Sequence, residues 1–188
     1  MVYRLEAVHQ RSEVTCNVNS EQLRAAQKPL KEGYREDPSS ACQTLSAVGV
    51  IDFENITCRI ENQRSNVPAG LHPATGGSGE WACSGDMLLE SLVSCAGVTL
   101  AAVATAIEIP LRGGTLRAEG DLDFRGTLGI SKEVAVGFGE IRLEFDLDTE
   151  ADGNQIEKLI QLTERYCVVF QTLKQPPRFI VSQKLSEK

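Results

Sequence analysis

Histidine is scarce in this sequence, and closely spaced cysteine pairs are absent. With only His9 and His72, and no Cys-x-x-Cys anywhere, a zinc site has no signature, and no metal or other cofactor is expected. A basic face is missing too. The net charge of −7 excludes the usual electrostatic footprint of a nucleic-acid binder or of a protein held on anionic membranes. There is no block of like charge and no low-complexity tract. The opening residues, MVYRLEAVHQRSEV, hold no apolar core segment, so no secretory signal is expected and the protein is placed in the cytoplasm. In that compartment the six cysteines, at 16, 42, 58, 83, 95 and 167, are expected to be reduced thiols rather than a disulfide framework.

What the sequence does have is one long apolar run over residues 87–107, MLLESLVSCAGVTLAAVATAI. A stop at Pro110 follows it. Its length would span a bilayer, but Glu90 and the hydroxyls of Ser91, Ser94 and Thr99 dilute it, and amphipathic strands follow. It reads as a helix apolar nearly all round, which belongs inside a protein. Ser91, Cys95 and Thr99, spaced four apart, form a thin polar stripe on it. Its small residues, Ala96, Gly97, Ala101, Ala102 and Ala104, would let other backbones approach closely.

A chain of 188 residues with 41% hydrophobic and 24% charged content can bury a sizeable core. Its organisation reads as an N-terminal extension over 1–43 and a main domain over 44–188. Within the extension, short alternations over 2–8 and 14–18 suggest a hairpin. Asn19 followed by Gln22 marks a helix start at 21–28, with Pro29 opening another turn and 32–40 a polar linker. Strands are predicted at 44–51 and 55–61, then an ordered, glycine- and proline-rich loop over 63–85. Gly76-Gly77-Ser78-Gly79 lacks the lysine and hydroxyl of a phosphate-binding loop and reads as a turn.

After a turn at 112–114, residues 116–124 and 140–148 alternate cleanly between apolar and charged, the pattern of half-buried strands. The glycine-containing stretch over 126–139 reads as their hairpin connection. An amphipathic helix is predicted over 155–173, capped by Asn154 and ended by Pro176 and Pro177. A final strand over 178–185 puts Phe179, Val181 and Leu185 on one face. Groups of strands that do not alternate one-to-one with helices indicate the α+β class.

Cys95 and Cys167 are the candidate pair: each lies on a predicted helix and faces the predicted interior. Cysteine is among the most buried residue types, so two core thiols alone call for no function. A reactive thiol must reach the thiolate form. Cys95 is roughly 14 Å into its helix, too far for that helix's own dipole to act. A cation from elsewhere, or a donor such as Ser91 or Thr99, would have to stabilise it. His72 could lend a polar group at the mouth of such a site, although a loop histidine is more simply solvent-exposed.

Several segments in order resemble the core of the OsmC/Ohr family: Gly76-Gly77-x-Gly79, Ser84-Gly85-Asp86-Met87-Leu88-Leu89-Glu90 and Ser94-Cys95-Ala96. Glu119-Gly120-Asp121-Leu122-Asp123, Gly137-Phe138-x-x-Ile141 and Glu164-Arg165-Tyr166-Cys167-Val168-Val169 continue the match, which covers roughly 44–185. The resemblance implies an OsmC-like fold with antiparallel sheets around a long buried central helix, in an intertwined homodimer. It implies thiol-based reduction of organic hydroperoxides. Cys95 would attack the peroxide, Cys167 would close a disulfide on it, and an external dithiol would reopen that bond.

The resemblance also places a glutamate ten residues before the first cysteine, where Gly85 stands, and an arginine in the first hairpin turn, which has none. Asp86, Arg59, Arg64 and Ser91 are the nearest candidates to activate or orient the thiol. Nine helical positions put Asp86 about half a turn away from Cys95. These departures leave a second expectation open: a protein of the same fold that binds an apolar small molecule at the dimer cleft without redox turnover.

Overall fold

The computed structural model describes residues 18–52, 57–61 and 68–185, and for residues 57, 59 and 61 the backbone alone. The hairpin predicted over 2–18 falls almost wholly outside the described residues. The first helix starts where its cap predicts. Asn19 accepts from the Gln22 N–H at 2.9 Å, and Gln22 accepts in return from the Asn19 N–H at 3.0 Å. This reciprocal pair opens α1 (Ser20–Glu36). Contrary to the predicted turn and linker, α1 runs through Pro29 and Gly33. Proline's φ is itself helical, so it deletes one hydrogen bond and crowds the preceding turn without forbidding the helix.

Four short strands follow: β1 (Val48–Asp52), β2 (Thr57–Glu61), β3 (Pro68–Gly70) and β4 (Ala82–Cys83). They form one sheet in that order, antiparallel except for the parallel β3–β4 pair. The last two strands lie in the stretch predicted to be loop. Being three and two residues long, they show no period a sequence could reveal. Between them, Gly77 passes so close to Leu71 that a Cβ would sit 1.8 Å from the Leu71 carbonyl oxygen. No other residue type fits there.

The apolar run folds as α2 (Ser84–Ala106). Among the described residues it is the one helix long and apolar enough to cross a membrane. Here a single stripe of it, Leu92, Ala96, Leu100 and Ala104, is buried. That is narrower than the all-round burial predicted, and Val98 on another face is 73% exposed. At the helix end Glu108 takes a left-handed φ of 61°. Its carboxylate accepts from Ser20 (2.8 Å) and from Arg24 (3.0 Å), and Arg24 also donates to the Ala106 carbonyl at 3.1 Å. These contacts seat α1 on the end of α2.

β5 (Leu111–Asp121) and β6 (Glu140–Thr149) form an antiparallel ribbon. The predicted turn at 112–114 is part of β5, entered through a register irregularity between Leu111 and Gly113. Across the ribbon Leu116 faces Phe145 and Ala118 faces Leu143. The opposite face pairs charges, with Arg142 bridging Glu119, Asp121 and Glu140. Such exposed pairs contribute about 0–1 kcal/mol each. The connection contains α3 (Phe124–Thr127) and no further strand.

The predicted amphipathic helix is two helices, α4 (Gly153–Tyr166) and α5 (Val168–Lys174), separated by Cys167. Its cap is Asp152 with Gln155, two residues earlier than Asn154. α4 and α5 both pack on α2, and β5 packs on it too. Leu100, Ala104, Ile109 and Leu159 meet in the core, with Leu116, Phe145 and Leu147 against them. Residues 178–185 do not form the predicted strand: they find no ladder partner among the described residues, and Phe179, Ile180 and Val181 are 80–92% exposed. Leu159 is fully buried. Leu159→Ala is expected to cost about 2–5 kcal/mol, read as a lower denaturation midpoint with an unchanged slope.

Candidate thiol site

Two elements carry the candidate sulfurs. α2 presents Cys95 beside its buried stripe, partly exposed, and the α4–α5 junction presents Cys167, fully buried. The junction departs from helix at this one residue. Cys167 has φ −72° and ψ 111°, an extended conformation, and acts as the N-cap of α5. Its Sγ accepts from the Phe170 N–H at 3.5 Å. Cysteine is not a favoured capping residue, so nothing in the local sequence announces this break.

The break turns the start of α5 toward Cys95. Both cysteines are free thiols, and each side chain is among the causes of the other's shift. Burial pushes the Cys95 thiol up. Against it act the Val169 N–H, the Cys167 thiol, the Val168 N–H and the Thr99 hydroxyl, and together they prevail: Cys95 ionises below the ordinary thiol range. The two amides lie close enough to the sulfur to lower its pKa. Thr99 gives its one hydroxyl proton to the Cys95 carbonyl at 2.7 Å, and its effect on the sulfur is the smallest of the four. Cys167 moves the other way. Burial raises it most, and the neighbouring Cys95 charge raises it further, outweighing the Phe170 and Val169 amides. The pair is therefore polarised, with Cys95 the thiol that gives up its proton more readily.

Of the other residues singled out from the sequence, Asp86, Ser91 and His72 are not among the causes of the Cys95 shift. Asp86 is exposed in the first turn of α2, beside Leu89, Glu90 and Ala118. Ser91 spends its proton on the Met87 carbonyl at 2.8 Å. Arg59 sits on β2 opposite Val50 and Pro68, described by its backbone alone. Arg64 lies outside the described residues. At Gly85 a Cβ would meet Cys83, Phe138 and Leu122 at 3.5–3.6 Å, largely apolar surroundings. His72 is committed elsewhere: its Nδ1 accepts from the Ala74 N–H at 3.0 Å and its ring stacks on Phe124, 4.8 Å between centroids. Among the described residues no group of His, Cys, Asp and Glu could hold a metal ion.

Sequence reasoning missed the Val168 and Val169 amides. No signal could have found them, because every non-proline residue carries an N–H. Behind α5 lies a cavity of about 390 Å³, lined by apolar side chains such as Leu92, Phe138 and Phe170 and by the charged Glu140, Glu164 and Lys174.

A mixed helix–strand fold with paired thiols between a long helix and a helix break defines a small thiol-bearing class. The OsmC-like protein family model matches residues 77–182, and the chain belongs to that family. Solved structures agree in fold. An OsmC-like protein from Mycoplasma pneumoniae superposes with a TM-score of 0.60 at 15% identity, over 71% of this chain and 89% of that one. The chain is also similar to an organic hydroperoxide resistance protein OsmC from Legionella pneumophila (TM-score 0.57, 14% identity, 71% and 93% covered). A third is an organic hydroperoxide resistance protein from Elizabethkingia anophelis (TM-score 0.57, 13% identity, 71% and 91% covered). No curated protein matches by sequence.

The polarisation has a direct readout. Alkylation of Cys95 by iodoacetamide, followed by mass spectrometry across a pH series, should have its midpoint below an ordinary thiol's (about 8.5). Its rate should fall as pH drops through that lowered midpoint. Cys167 should stay slow until pH is above the ordinary range. Equal midpoints for the two would contradict the assignment.

Proposed function

We propose that this protein is a cysteine-based peroxidase of the cytoplasm that reduces organic hydroperoxides, with Cys95 as attacking and Cys167 as resolving residue. The observation that carries this reading is the helix break at Cys167, which leaves that side chain interacting with Cys95 and the two thiols displaced in opposite directions. The likeness to organic hydroperoxide resistance proteins of Legionella and Elizabethkingia lends support to the substrate class.

The Cys95 thiolate attacks one peroxide oxygen. An S–O bond forms, the O–O bond breaks, and the departing alkoxide takes a proton to leave as the alcohol. Sulfur is oxidised to a sulfenic acid as the peroxide is reduced. The Cys95 charge is then gone, and with it one cause of the high Cys167 pKa. Cys167 loses its proton more readily at the moment its thiolate is needed. It attacks the Cys95 sulfur, the S–S bond forms and water leaves. An external dithiol restores both thiols by exchange and ends as a disulfide.

The working unit in this reading is a homodimer. Its support is apolar surface left uncovered by one chain: Val98 on α2, Val48, Val50 and Ile51 on β1, and Phe179 to Val181. A second reading, binding of an apolar small molecule without turnover, is favoured by one observation. No arginine among the described side chains contributes to the Cys95 shift.

The test adds cumene hydroperoxide to reduced protein. Peroxide should be consumed in the presence of dithiol, and a Cys95–Cys167 cross-link should appear by mass spectrometry. Cys95→Ser should abolish consumption, and Cys167→Ser should accumulate a sulfenic acid trapped by a 1,3-dione. Absence of both cross-link and consumption would leave the binding reading alone.

A further inference from the structure

The hydrogen bonds around Cys167 can be accounted for one by one. In an unbroken helix the N–H groups of Val168, Val169 and Phe170 would bond the carbonyls of Glu164, Arg165 and Tyr166. The extended conformation at Cys167 releases all three donors. Regular bonding stops with the Cys167 N–H on the Thr163 carbonyl at 2.9 Å, and resumes with the Gln171 N–H on the Cys167 carbonyl at 3.0 Å. Phe170 gives its N–H to Cys167 Sγ, and the freed Val168 and Val169 amides lie where they favour the ionised form of Cys95.

One of the abandoned carbonyls has a replacement partner. Gln171 Nε2 donates to the Glu164 carbonyl at 2.8 Å, in a partly buried position. That carbonyl is the acceptor the Val168 N–H would otherwise take. Left unpaired, it would draw Val168 back toward helical geometry, because a buried acceptor without a partner is costly.

We propose that Gln171 is a positioning residue for the thiol pair: its carboxamide occupies the Glu164 carbonyl and so keeps the Val168 amide turned toward Cys95. The proposal rests on the reading of Cys95 as the reacting thiol. It gives a role to a residue that touches neither sulfur nor peroxide and acts through the backbone it holds open.

Gln171→Leu keeps the side chain's bulk and removes the donor. The folded variant, checked by circular dichroism, should titrate Cys95 at higher pH and alkylate it about three- to tenfold more slowly below the midpoint, as a shift of up to about one pH unit requires. Thr172→Ala, an exposed change on the same helix, should leave the Cys95 midpoint where it was. An unchanged midpoint in Gln171→Leu would overturn the proposal, even if wild-type protein still consumes hydroperoxide. Failure of wild-type protein to consume hydroperoxide, with Cys95 still titrating low and the variant still shifting it, would remove the peroxidase reading and leave the role of Gln171 standing.

A second measurement uses wild-type protein alone, so it holds if the variant does not fold. By NMR the Val168 amide should shift as Cys95 ionises, and the Gln171 carboxamide protons should exchange more slowly than those of exposed Gln175. A Val168 amide that ignores the titration, or a Gln171 carboxamide exchanging as fast as that of Gln175, would also overturn it.

Discussion

One extended residue between two helices is the constraint on which the thiol site depends. Had α4 continued through Cys167 into α5, the amides of residues 168–170 would have been consumed inside the helix. Cys95 would then face a wall of satisfied backbone. The break at Cys167 converts three internal donors into three available ones and aims two of them at a sulfur on another element. The third steadies the second sulfur.

The rest of the fold holds those two points in register. α2 is a 23-residue rod whose stripe of Leu92, Ala96, Leu100 and Ala104 fixes its rotation against β5, α4 and α5. That rotation determines which neighbours Cys95 has. The electrostatics are then a contest of modest effects. Burial disfavours charge on either sulfur, and it prevails at Cys167. At Cys95 two amides, a thiol and a hydroxyl outweigh it. A cation is one way to stabilise a thiolate; a cluster of oriented neutral donors is another.

One chain leaves apolar surface uncovered. Val98 faces outward from a helix that the sequence marks as buried, and the segment around Phe179 to Val181 is extended without a ladder. Both follow if the sequence was shaped for a larger assembly than the single chain. The predicted strand at 178–185 has the alternation of a half-buried strand, and no ladder covers it among the described residues.

Periodicity made much of the fold legible. The apolar run of α2, the alternation of β5 and β6, and the Asn19–Gln22 box at the start of α1 are signals carried by neighbouring residues, and local chemistry decides them. The candidate sulfurs could be named from the sequence, as could Thr99. What only the tertiary structure decided is the helix break at Cys167 and the donors it frees, along with the short strands β3 and β4. A break inside an amphipathic pattern leaves the apolar spacing almost intact, and a backbone amide carries no letter of its own. Its partner is set by which element lies opposite, and that is known only once the chain has folded.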